Sequence, residues 1–163
     1  MPRFPLLALL VAAPLAAMPP TGHWELACVP DIPAAIERTI APMNGLVRPF
    51  ARALLARINP VFREVQVSQT DAEITIQFGD RPALRLPADG TPVEWFRSAQ
   101  EKLKIMARMN GDDLEQTYQA PDGERTTVFH VDPGSRLLHL RVTVRSGRLP
   151  SPLTYTLAYR PGF

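Results

Sequence analysis

EKLKIMARMNGDDLEQTYQAPDGERTTVFHVDPGSRLLHLRVTVRS, residues 101–146, decides the fold. Between its turn signals the side chains alternate. Leu103, Ile105, Ala107 and Met109 share one phase, against Lys102, Lys104, Met106 and Arg108. Leu138, Leu140, Val142 and Val144 likewise oppose His139, Arg141, Thr143 and Arg145. A period of two with one apolar phase marks strands that bury one face and wet the other. The breaks fall at Asn110-Gly111, Asp122-Gly123 and Asp132-Pro133-Gly134. Such dipeptides suit tight hairpins, whose central residues need positive φ.

The same grammar extends in both directions. Upstream, turn signals stand at Thr70-Asp71, Gly79-Asp80 and Asp89-Gly90, with a softer one at Ser98-Ala99, and Ile74, Ile76 and Phe78 share a face. Downstream, Leu153, Tyr155, Leu157 and Tyr159 alternate with Thr154, Thr156, Ala158 and Arg160. The spacing predicts nine strands, at 61–69, 72–78, 82–87, 92–97, 101–110, 112–119, 124–131, 136–146 and 151–160, after a short first strand at 22–27. The fold class is therefore mainly β: an antiparallel up-and-down meander of about nine to ten strands forming a barrel or half-barrel.

A helix-turn-helix lid is expected over 31–58. Asp31 caps its first helix, with Pro33 in the first turn, where a missing N–H costs nothing. Ile32, Ile36, Ile40 and Met43 follow at helical spacing, and Pro42 with Asn44-Gly45 breaks the run. The second helix sets Val47, Phe50, Leu54 and Ile58 on one face and Arg48 and Arg52 on another, until Asn59-Pro60 stops it.

At 163 residues the chain has room for a signal and one domain. Residues 1–17 have the layout of a cleaved secretory signal: Arg3, an apolar run from Phe4 to Ala16, and the small exit Leu15-Ala16-Ala17. The run is shorter than the roughly 20 residues a membrane helix needs. Residues 18–163 are then a single exported domain, periplasmic or secreted. The net charge of +2 gives no argument for nucleic acid, and the outward strand faces lack the interleaved aromatics that stack bases. From Gly134 onward there are five arginines and no acidic side chain, which reads as a solvated face or an anionic-membrane contact. The single cysteine, Cys28, rules out an internal disulfide and is expected as a buried small residue.

Gly22-His23-Trp24 on the first strand, a helix-turn-helix directly after it and a meander to the end together resemble the calycin superfamily. The fatty-acid-binding proteins are the nearer likeness within it. The resemblance implies a closed barrel, a small apolar or amphipathic ligand, and a Trp24–Arg160 stack closing one barrel end. It also implies a carboxylate-holding Arg-x-Tyr on the last strand, where this chain reads Leu157-Ala158-Tyr159 and lacks the arginine.

The apolar phase supplies a barrel lining of Val65, Val67, Ile74, Ile76, Phe78, Leu103, Ile105, Met109, Leu114, Phe129, Leu140, Val142 and Leu157. Polar residues in the inward phase are the ligand-binding candidates: Arg63, Gln116, Tyr118, Tyr155 and Tyr159. The other reading of each is a bond to a neighbouring backbone group or a place at the barrel mouth. No nucleophile elbow, phosphate loop or His-Glu-x-x-His motif is present, so no catalytic residue, metal or cofactor is assigned. His130 and His139 are read as cross-strand neighbours on the outward phase. The expected protein is a monomeric, non-catalytic binder of a small lipid-like molecule. A filled barrel that contacts an envelope protein is the alternative.

Overall fold

The computed structural model describes residues 18–98 and 101–163. Residues 1–17, with the signal assigned to them, and the Ala99 side of the soft turn lie outside the described residues. β1 (Gly22–Cys28) leads into α1 (Ile32–Ile40) and α2 (Arg48–Ile58). Nine strands follow: β2 (Glu64–Gln69), β3 (Glu73–Phe78), β4 (Leu84–Pro87), β5 (Val93–Ser98), β6 (Glu101–Asn110), β7 (Asp113–Ala120), β8 (Gly123–Val131), β9 (Leu138–Ser146) and β10 (Leu153–Pro161). Each strand lies where the alternation predicts it, within three residues at either end.

All ten strands belong to one antiparallel sheet in the order β4-β3-β2-β1-β10-β9-β8-β7-β6-β5. The β1–β10 pairing joins the two ends of the chain, with Trp24 opposite Pro161. β4 and β5 are the sheet's edges and do not pair with each other among the described residues; an isolated Asp89–Arg108 bridge links the segment after β4 to β6 instead, so the barrel is nearly closed.

Register stacks the inward side chains in rows across the wall. One row runs Met109, Leu114, Phe129, Leu140, Leu157; the next runs Ala107, Gln116, Thr127, Val142, Tyr155; the third runs Ile105, Tyr118, Arg125, Val144, Leu153. The first row is apolar throughout and nearly all of it is buried, as are Val65, Val67, Ile74 and Ile76 across the barrel. The barrel floor is thus packed, and polar character begins one layer up.

Gly111, in the β6–β7 turn, has φ +64°, which the hairpin reading requires. Gly123 serves a different need. Its φ is not positive; instead a Cβ there would sit 2.4 Å from the Arg145 carbonyl oxygen. The residue provides close approach between β8 and β9.

One expectation is corrected here. Cys28 is exposed. A bulge between Leu26 and Cys28 pairs Cys28 with the outward Ala158, so its side chain leaves the inward phase. The apolar face of α2 is largely open: Leu55 is buried and Ala51 and Ile58 partly so, whereas Phe50 is 77% and Leu54 48% exposed. α1, by contrast, buries Ile32, Ala35, Ile36, Thr39 and Ile40, and Asp31 caps it by accepting the Ala34 N–H at 2.9 Å. Arg48 donates to the carbonyls of Ala41 and Met43, and Arg52 pairs with Glu37, so the lid arginines bind α2 to α1. Among the described residues no helix is long and apolar enough to cross a membrane.

Candidate functional site

Beneath α2 lies a cavity of about 570 Å³. The helix contributes Val47, Phe50, Leu54, Leu55 and Ile58; Phe62, Phe78, Leu84, Trp95, Leu103, Tyr118 and Val144 line the walls. The apolar face of α2 therefore forms the roof of a cavity. Such a volume falls within the roughly 300–1,000 Å³ of small-molecule sites, and a mostly apolar wall with a few polar groups is what those sites share.

The charge at this mouth is asymmetric. Arg81, Arg125, Arg145 and Arg148 line it with Asp122 and Glu124. Glu124 pairs with Arg145 at 3.2 Å and Asp122 with Arg148 at 3.6 Å. Arg81 lies over the Phe62 ring, 4.7 Å from its centroid. Arg125 lies in the inward phase and, among the described residues, bonds neutral oxygens: Asn59 Oδ1 at 3.4 Å and Thr127 Oγ1 at 3.1 Å. No carboxylate pairs with it among the described residues. A half-buried guanidinium of this kind is a ready partner for an anionic group.

Asn59, just past α2, is the centre of the polar layer. Its amide N–H donates to Leu55 O at 2.8 Å, and its Oδ1 also accepts the Tyr155 hydroxyl at 3.1 Å. Tyr159 donates to the Phe62 carbonyl at 3.0 Å. The two tyrosines of the last strand thereby tie the segment between α2 and β2 to the wall. Burial, chiefly, and the neighbouring Tyr155 push the Tyr159 phenol up to about 12, against an opposing effect of Arg125.

The five polar candidates therefore divide. Gln116 is fully buried in the barrel wall, and its amide donates to the Tyr118 hydroxyl at 3.3 Å. Tyr118 lines the cavity. Tyr155 and Tyr159 are inward and occupied by the Asn59 and Phe62 bonds. Arg63 is exposed, and this corrects its inward assignment: it precedes β2, where the chain has not yet entered the alternating ladder. Trp24 and Arg160 do not form the implied stack. Trp24 is buried and donates its indole N–H to Pro20 O at 2.9 Å. Arg160, in the opposite phase, pairs with Glu25 at 3.1 Å on the outer face.

Arg125 and Asn59 were not among the sequence candidates. Arg125 had a signal, since steps of two back from Phe129 reach Thr127 and Arg125. Asn59 had none beyond its helix-stop role. On the outer wall His130 and His139 are directly opposite, and His130 Nδ1 lies 2.6 Å from Asp113 Oδ1. Among the described residues no cluster of three ligating side chains is placed to hold a metal.

No family model and no curated protein sequence matches the chain. Solved structures do. The fluorescent protein UnaG aligns at TM-score 0.52 and 17% identity, over 87% of this chain and 96% of its own. The REP1-NXSQ fatty acid transporter aligns at TM-score 0.54 and 13% identity, over 88% and 96%. Secretory abundant heat soluble protein 4 from Ramazzottius varieornatus aligns at TM-score 0.55 and 15% identity, over 89% and 96%. Identities this low speak for the fold alone, and it is the fold that these structures share with this chain.

Proposed function

We propose that the protein is an exported carrier that reversibly takes up one small amphipathic molecule, with its apolar part beneath α2 and an anionic end on Arg125. The single observation that carries this reading is an apolar cavity containing an inward arginine with no carboxylate partner among the described residues. The likeness to a protein described as a fatty acid transporter supports it. Affinity comes from burying ligand carbon, at about 25 cal/mol per Å² before the costs of association. No covalent step is involved. Residues 1–17 act as the signal, and the mature chain works as a monomer in the periplasm or outside the cell.

Native mass spectrometry of the protein recovered from its own compartment, followed by titration with palmitic acid, tests this. The expected results are a mature chain that starts after Ala17 and one bound acid per chain. Arg125→Met should weaken palmitate about tenfold or more, while hexadecanol, which lacks the charge, is little affected. A clean mass with no palmitate binding would overturn the carrier and favour a partner-binding barrel. Equal loss of acid and alcohol would remove Arg125 from the site.

A further inference from the structure

Four arginines and two carboxylates line the cavity beneath α2, and the pairing among them is uneven. Arg145 and Arg148 take Glu124 and Asp122. Arg125 and Arg81 are left over, and among the described residues neither has a carboxylate partner. They also flank one segment of chain. Arg125 reaches Asn59, Arg81 covers the ring of Phe62 just beyond it, and the Tyr159 hydroxyl holds the Phe62 carbonyl. A ring takes the face of a guanidinium and leaves its in-plane N–H groups for an acid. Two cations on one cavity wall without counter-charges repel each other, the more so where apolar walls displace water. An occupant with a single negative charge answers only one of them.

Resting on the carrier reading, we propose that the ligand is a dianion with two separate acidic groups, the first on Arg125 and the second on Arg81. The apolar part between them lies beneath α2, against Phe50, Leu54 and Leu103. Arg81 is exposed at the rim whereas Arg125 is half-buried, so the two seats are not equivalent. The inner acid is drawn out of water onto Arg125. The outer acid keeps part of its hydration and adds a smaller increment that selects for the second charge. An uncharged end leaves the Arg81 guanidinium to the solvent.

Three probes test this on the wild-type protein by competition binding: palmitic acid, hexadecanedioic acid and the monomethyl ester of that diacid. The ester keeps the chain and the oxygens and removes only the second charge, and the chain is flexible enough to curve beneath α2 and return to the mouth. The diacid should bind about fivefold more tightly than the ester. Arg81→Gln should erase that difference while changing the ester's affinity by no more than about twofold. Arg85→Gln removes an equal charge nearby, on the exposed outer face of β4, and should keep the difference. Equal binding of diacid and ester, a preference that survives Arg81→Gln, or one that Arg85→Gln also erases overturns the second seat and, with palmitate still bound, leaves the carrier intact. Failure of all three probes to bind overturns the carrier and the second seat with it.

Discussion

Tyr159 links the polar layer to pH. Its phenol is raised to about 12 by burial, with Tyr155 acting in the same direction, whereas in an unfolded chain it titrates near 10. Between these values the unfolded state has released a proton that the folded state still holds. Stability is therefore complete below about pH 10 and is lost as the pH rises toward about 12. Urea denaturation at steps from pH 8 to 12 should show that decline, and Tyr159→Phe should flatten it. At neutral pH the same variant should cost about 1 kcal/mol, the worth of the bond to Phe62. The inward phase of Tyr155 and Tyr159 was legible in their alternation with threonine and alanine. Their partners were not, because Asn59 and Phe62 are 96 and 97 residues away in sequence and only closure of the barrel brings them close.

Among the elements, α2 and the β7–β8 hairpin make opposite demands on the sequence. α2 is held by one buried side chain, Leu55, and by its arginine contacts to α1. Leu55→Ala should cost about 2–4 kcal/mol in chemical denaturation. Phe50→Ser should stay within about 0.5 kcal/mol, since that ring is already exposed, and should show its effect in ligand affinity instead. The helical period alone does not separate these two leucine-and-aromatic positions: an apolar stripe reads the same whether a wall or a cavity faces it. In the hairpin, Gly123→Ala should destabilise the barrel by about 1–3 kcal/mol, because the added methyl meets the Arg145 carbonyl. Thermal unfolding against a Gly111→Ala control would separate crowding at Gly123 from the positive φ at Gly111. The Asp-Gly signal announced the turn correctly and left the reason for its glycine to be found in the neighbouring strand.

At the scale of the molecule, the ladder was legible because period-two alternation and hairpin dipeptides are local, and every sequential strand pair but β1–β2 and β4–β5 follows from them. The closing β1–β10 pair has no local signal and entered only through the resemblance. The exposed Cys28 shows the same limit, since one bulge against a strand at the other end of the chain reverses its phase.

That closing pair has a consequence for how the chain reaches its fold. The Gly162 N–H donates to the His23 carbonyl at 2.8 Å, so the two ends of the domain lie side by side, whereas the loop between β4 and β5 joins two edges that do not pair. Only one strand contact, β1 with β10, spans nearly the whole sequence. A circular permutant that starts at Gly90, ends at Asp89 and joins Phe163 to Met18 by a short linker makes every paired strand a neighbour in sequence. Lower contact order speeds folding. The permutant should refold faster than the natural order in stopped-flow chevrons, with the barrel otherwise unchanged; an equal rate would mean that closure of the chain ends is not part of the folding barrier.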